Sequence, residues 1–155
     1  EGYDTSKARQ QFINVARKVA IVAEEYRIRL ALENLNSTET NFINTVDDAL
    51  QIVKAVNHPN FRLCVDIYHM LMENEPPAII ESTRDYLIHC DIAEREGRAA
   101  PGVHGQDFTP YLRALRKVRY RKLIVLECRW NNVEAEVKQG RAEVLRQLEI
   151  AYGSR

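Results

Sequence analysis

The chain has 155 residues, 45% of them hydrophobic and 28% charged, enough for one domain with a core of its own. Its 22 Lys and Arg balance 22 Asp and Glu, so no overall field draws it to nucleic acid or an anionic membrane. No apolar run nears the roughly 20 residues of a membrane span, and the charged, helix-like start does not read as a secretory leader.

The first predicted helix carries Phe12, Val15, Ala16, Val19, Ala20 and Ala23 at helical spacing, with Asp4, Thr5 and Ser6 as candidate N-caps. A short apolar strand, Ile28 to Leu32, ends at Glu33. Residues 34–44 are polar and loop-like. Val46, Ala49, Leu50, Val53 and Val56 form a second helical stripe with Thr45 as its cap. His58-Pro59-Asn60 breaks that helix, and Arg62 to Val65 is a strand ending at Asp66. Pro76-Pro77 suits the first turn of a third helix running to about Arg84. Tyr86 to Cys90 is a strand, followed by a charged loop with Pro101, Gly102 and Gly105. Thr109-Pro110 reads as N-cap and N1 of a fourth helix carrying Tyr111, Leu112, Leu115 and Val118. Leu123 to Leu126 is a strand ending at Glu127, and a last helix carries Val144, Leu145, Leu148, Ala151 and Tyr152.

Strands alternating with helices in this way predict an α/β fold of parallel βαβ units, without a linker to divide the chain. Three widely spaced cysteines, Cys64, Cys90 and Cys128, suggest neither a disulfide framework nor a CxxC zinc site. They read as small buried residues of a cytoplasmic protein.

The chemistry gathers at the strand ends. Glu33, Asp66 and Glu127 each follow the last apolar residue of a strand, and His89 and Asp91 stand at the end of another. In parallel α/β folds the C-terminal strand ends are where ligands bind. Strand alternation puts Glu33 on one face with Ala31, Asp66 with Cys64 and Glu127 with Val125, while Leu30, Leu32, Leu63, Val65, Ile124 and Leu126 point to the helices. An oxygen-rich set with one imidazole or an extra carboxylate suits Mg²⁺ or Mn²⁺ better than a structural zinc. Taken singly, each acid is as well explained as a helix cap or an ion-pair partner; the three in register are what point to a site.

Particular pieces add a family resemblance. They are Glu33-Asn34-Leu35-Asn36 with Glu39 and Asn41, Asp66-Ile67-Tyr68-His69-Met70, the Arg98 to Pro101-Gly102 segment leading to Asp107-Phe108, and Leu126-Glu127-Cys128. Together they resemble the xylose isomerase-like barrel superfamily, in its branch of ketose 3-epimerases, hydroxypyruvate isomerases and related sugar-phosphate isomerases. The resemblance implies that residues 1–155 are the C-terminal half of a (β/α)8 barrel, strands five to eight, preceded by one helix. It implies a divalent-metal-dependent isomerase or epimerase of a sugar or sugar phosphate, with Glu33, Asp66 and Glu127 as metal ligands and Glu33 and Glu127 as the two proton-transfer groups. The family's fourth ligand is a His; Asp91 stands in its place, with His89 two residues earlier on the same face, so either residue is a candidate. His69, Arg98 and Glu39 resemble the substrate-holding residues. The implied cation is Mn²⁺, Mg²⁺ or Co²⁺, with Zn²⁺ a poorer fit.

A closed barrel of this kind has eight strands and about 250 residues. The four strands expected here leave two edges that must pair with something, either a second copy in a homodimer or a missing N-terminal half-barrel. A DNA-repair endonuclease of the same superfamily would need several metals and a basic groove, which four histidines and a balanced charge do not favour. A dehydratase or other lyase on the same fold, and a degenerate, non-catalytic barrel domain, stay open as alternatives.

Overall fold

A computed structural model describes residues 4–153. Helix α1 (Thr5–Glu25) leads into strand β1 (Leu30–Leu32), helix α2 (Val46–Val56), strand β2 (Phe61–Asp66) and helix α3 (Ile67–Met72). A 3₁₀ helix (Pro77–Thr83), strand β3 (Leu87–Ile92), helix α4 (Thr109–Lys117), strand β4 (Ile124–Leu126) and helix α5 (Val133–Tyr152) follow. The four strands make one sheet in the order β1-β2-β3-β4, every pair parallel. This is the α/β, partial-barrel architecture expected from the alternation of elements.

The helices cover one face of the sheet. Leu63 and Val65 of β2, Cys90 and Ile92 of β3, Leu50, Ile52 and Val53 of α2, and Leu112 and Leu115 of α4 join one buried core. Leu30, Leu32, Ile124 and Leu126 pack against its margin. The opposite face is open: Ala31 and Val125, which share it with the acids, are both exposed.

Local chemistry sets the element ends. Asp4 caps α1 by accepting the amides of Ser6 and Lys7. The Thr45 hydroxyl accepts the Asp48 amide at 3.0 Å and donates to its carboxylate, and Glu75 accepts the Val46 amide at 2.9 Å, so α2 begins on two acids. Asn57 ends α2 in the left-handed region, at φ 50°.

Three expectations are corrected. Where one helix is predicted from Pro76 to about Arg84, the chain forms α3 earlier and a 3₁₀ helix later. Ser82 and Thr83 donate their hydroxyls to the carbonyls of Ile79 and Ile80, competing with α-helical bonding there. In α1 the buried face is Ile13, Ala16, Ala20 and Ala23, while Val15 and Val19 are 59% and 46% exposed. Arg17 turns the helix by reaching the C-terminal carbonyls of α2, Ala55 at 2.7 Å and Val56 at 3.3 Å, and the small alanines then face the core. At α4, Thr109 is the first helical residue rather than the cap, and Asp107 accepts its amide at 2.8 Å. Strand limits otherwise fall within two residues of expectation.

Candidate active site

The site forms at the C-terminal edge of the sheet. Asp66 has two duties because it is both the last residue of β2 and the N-cap of α3. Its Oδ1 accepts the Tyr68 amide at 2.8 Å, and Oδ2 faces the sheet edge. A cap and the residue three positions on lie on one side of a helix, so His69 comes next to the acid that opens α3. His69 Nε2 lies 3.4 Å from Asp66 Oδ2 and 3.5 Å from Glu33 Oε1. Glu33, Asp66 and His69 each offer a ligand atom within 4.8 Å of the others, the one such group of metal-ligand type among the described residues.

Two asparagines brace this group. Asn34 is fully buried, donates to the Asp66 carbonyl and accepts the Asp66 amide at 3.1 Å, tying the end of β1 to that of β2. Asn36 is fully buried as well. Its backbone N–H donates to His69 Nδ1 at 3.0 Å, and its side-chain amide reaches the same nitrogen and Glu39.

Arg98 gathers the remaining carboxylates. Its Nη2 lies 2.5 Å from Glu127 Oε2 and 3.4 Å from Asp66 Oδ2, its Nη1 lies 3.6 Å from Glu39, and its guanidinium sits 4.7 Å over the Tyr68 ring. Glu127 thus joins the site through Arg98 and stands outside the Glu33–Asp66–His69 group. Arg98 itself adopts φ 54° on a loop that a fully buried carboxylate holds. Glu94 accepts the backbone amides of Gly102, His104, Gly105 and Gln106 at 2.6–3.3 Å. Gly102 (φ 94°) and Gly105 (φ 78°) supply turns that a side chain would strain.

Asp91 is the register partner of Asp66, as expected for a shared face, but its oxygens are engaged lower down. Oδ1 lies 3.1 Å from His89 Nε2, and Oδ2 accepts the Cys64 thiol at 3.1 Å. Burial and the facing Asp91 push that thiol up. His89 and Asp91 are therefore brought together with each other and stand outside the Glu33–Asp66–His69 group.

Electrostatics separate the two innermost acids. The His69 ring beside it, 3.5 Å away, holds the Glu33 carboxyl below its ordinary range. Burial, with the nearby Glu33 charge, pushes Asp66 up to about 7. A divalent cation would offset that penalty, and the donor set fits one: ionisable oxygens from adjacent parallel strands, partly dry, beside an imidazole nitrogen with no hydrogen-bond partner.

Asn34, Asn36 and Glu94 are bracing residues whose part in the site the sequence did not reveal. The asparagines lie inside a motif valued for its acids. Glu94 had one usable signal, an acid eight and eleven residues before two glycines.

Residues 1–148 match the model of the family described as xylose isomerase-like TIM barrel. The chain is 32% identical over 111 residues to a ketose 3-epimerase of Arthrobacter globiformis, covering 71% of this chain and 38% of that protein. It is 32% identical over 120 residues to an L-ribulose 3-epimerase of Methylomonas sp., covering 77% and 42%. The crystal structure of a D-allulose 3-epimerase from Methylomonas sp. superposes with a TM-score of 0.81 at 25% identity, over 90% of this chain and 56% of that one. The 3-keto-D-glucoside 4-epimerase of E. coli gives the same TM-score over 95% and 56%. The chain spans about two fifths of the length of the curated relatives it matches.

Proposed function

The chain belongs to the xylose isomerase-like TIM barrel family, and on that premise we propose that it is the C-terminal half, strands five to eight, of a metal-dependent sugar isomerase or epimerase that moves a proton at the carbon beside a carbonyl. The observation that carries the reading is the Glu33–Asp66–His69 group at the ends of two adjacent parallel strands, to which Arg98 ties Glu127 at the end of another. Relatives named as ketose 3-epimerases support the sugar as substrate class.

Glu33, Asp66 and Glu127 would hold the cation, with Asp91 as a fourth carboxylate and His89 as the alternative. An all-oxygen shell suits Mg²⁺ or Mn²⁺ better than Zn²⁺. Bound there, a divalent cation supplies positive charge against the oxyanion that forms when the carbon beside a carbonyl loses its proton.

The chain's own groups do the rest. Glu33 and Glu127 stand at the two outer strands and so approach a substrate from opposite sides; one carboxylate takes the carbon-bound proton and the other returns one. His69 donates from Nε2 to a substrate oxygen. Arg98, with five N–H groups and Glu39 beside it, orients hydroxyls or an anionic tail. The open face of the sheet leaves the rest of the pocket to other parts of a complete barrel.

The test is proton exchange. In heavy water, with divalent metal and a panel of ketoses, the assembled barrel should incorporate deuterium at the carbon beside the carbonyl. Glu127→Gln and Glu33→Gln should each abolish exchange while sugar binding stays measurable; exchange at the parent rate in either variant rules the assignment out.

A further inference from the structure

The end of the sheet opposite the acids carries the reverse charge. Between Arg113 and Lys122, six of ten residues are Arg or Lys and none is acidic. The chain as a whole is balanced, so this run is a local excess. It forms the end of α4 and the turn that enters β4. Arg84, which follows the 3₁₀ helix and leads to β3, donates to the Lys117 carbonyl at 3.0 Å. In return Lys122 donates to the Leu87 carbonyl of β3 at 3.3 Å. Each loop thus holds the backbone of the other.

A cavity of about 180 Å³ lies between them. Arg84, Arg119, Arg121 and Lys122, all exposed, line it with the buried Leu87 and Tyr120, and no acidic residue does. None of the four cations takes part in the ion pairs formed among the described residues. Glu81 is taken by Lys117 at 2.7 Å, and Asp85 and Glu149 stand outside the lining. Lys122 loses basicity through burial, and then through Arg29 and Arg62 at the neighbouring strand ends. Cations gathered without a counter-charge repel one another, and an anion among them removes that cost.

The turn is preorganised. Arg119 adopts φ 58° just past the end of α4, where its N–H donates to the Arg116 carbonyl at 2.9 Å and that of Tyr120 to Leu115 at 3.0 Å. Helices commonly place glycine or asparagine in this conformation; here the position presents a guanidinium. Arg119 and Arg121 each offer a planar fork of N–H donors that matches the oxygens of a phosphate. The cavity is separate from the candidate active site. Leu87 opens β3, and Asp91 stands four residues on, about 13 Å along the strand.

We propose that the cavity between Arg84 and the turn from Arg119 to Lys122 binds a phosphate dianion, as inorganic phosphate or as the phosphoryl group of a small phosphate ester. The proposal stands apart from the metal and the sugar chemistry, and its test reads binding alone.

The probes are inorganic phosphate and glycerol phosphate, titrated into the full protein in the presence of a chelator, at constant ionic strength. Calorimetry should show saturable binding that sulfate displaces and an equal ionic strength of chloride does not. Amide shifts in the parent should move at Arg84, Arg119, Arg121 and Lys122 and stay in place at Asn34, Asn36 and Arg98. The variant R119G/R121Q should lose about tenfold or more in affinity. Glycine suits φ 58°, so the first substitution also relieves the backbone. Arg98→Lys, at the other end of the sheet, should leave the affinity within about twofold. Tighter binding of either probe supports the site and names its source. No saturable binding, displacement by chloride as readily as by sulfate, or shifts centred on Arg98 overturns the proposal. So does binding of an oligonucleotide with none of free phosphate. Should R119G/R121Q be unfolded by circular dichroism, the amide shifts of the parent decide alone.

Discussion

The backbone N–H of Asn36 donates to Nδ1 of His69 at 3.0 Å, with the Asn36 side-chain amide 2.8 Å from the same nitrogen. An amide proton cannot be removed to suit the ring, so Nδ1 is the acceptor and neutral His69 carries its proton on Nε2. That nitrogen faces Glu33 and Asp66 as an N–H donor, not as the lone pair a metal needs. This tautomer supports the proposed role of His69 towards substrate rather than the cation, although its distances alone would admit it to a metal shell. His69→Gln, which retains an N–H donor, should leave Mn²⁺ affinity within about twofold in calorimetry and raise KM. A loss well beyond the roughly 10–100-fold that disturbing a ligand's hydrogen-bond partner costs would make His69 a ligand.

Asp66 links stability to pH. Its folded-state value of about 7 lies above the ordinary carboxylate value near 3.9, because burial favours the neutral acid. Well below pH 4 folded and unfolded chains are both protonated there, and no penalty arises. As pH rises to 7 the unfolded chain ionises first, and the metal-free fold loses on the order of 3 kcal/mol through this group. The metal-free chain should therefore melt lower at pH 7.5 than at pH 5 by more than an Asp66→Asn variant does. Added Mn²⁺, which needs the ionised acid, should raise the melting temperature more at pH 7.5 than at pH 5.

Arg98 touches Glu127, Asp66 and Glu39 at once while stacked on Tyr68. A lysine keeps the charge but not the planar fork or the stacking. Arg98→Lys is expected to raise KM about tenfold or more in the assembled enzyme with little change in melting temperature. An unchanged KM would leave Arg98 as a brace between strands.

Glu94 accepts four loop amides with two oxygens. Glu94→Gln turns an NH₂ group towards those donors, and a loss of about 2–3 kcal/mol is expected in urea unfolding. Faster amide exchange should be confined to Gly102, His104, Gly105 and Gln106; uniform exchange across the sheet would show a global rather than a loop effect.

In the core, Leu50 is fully buried between α2 and the sheet. Leu50→Ala should cost about 2–5 kcal/mol, read as a lower urea midpoint at constant slope.

The sequence by itself determined the α/β architecture, the four strands and the placing of Glu33, Asp66 and Glu127 at their ends. These follow from local rules: period-two alternation puts acids and small residues on one face, and helical spacing puts aliphatic residues on the other. Only the tertiary structure decided which groups meet. The Asn36–His69 bond, Arg98 between two strand ends, Glu94 beneath its loop and Asp91 turned to Cys64 and His89 all join residues from different elements. Their partners are set by strand order and register, and no spacing along one segment encodes those distances. The rotation of α1 was hidden for the same reason: two apolar stripes compete on that helix, and the choice falls to Arg17 and the C-terminus of α2.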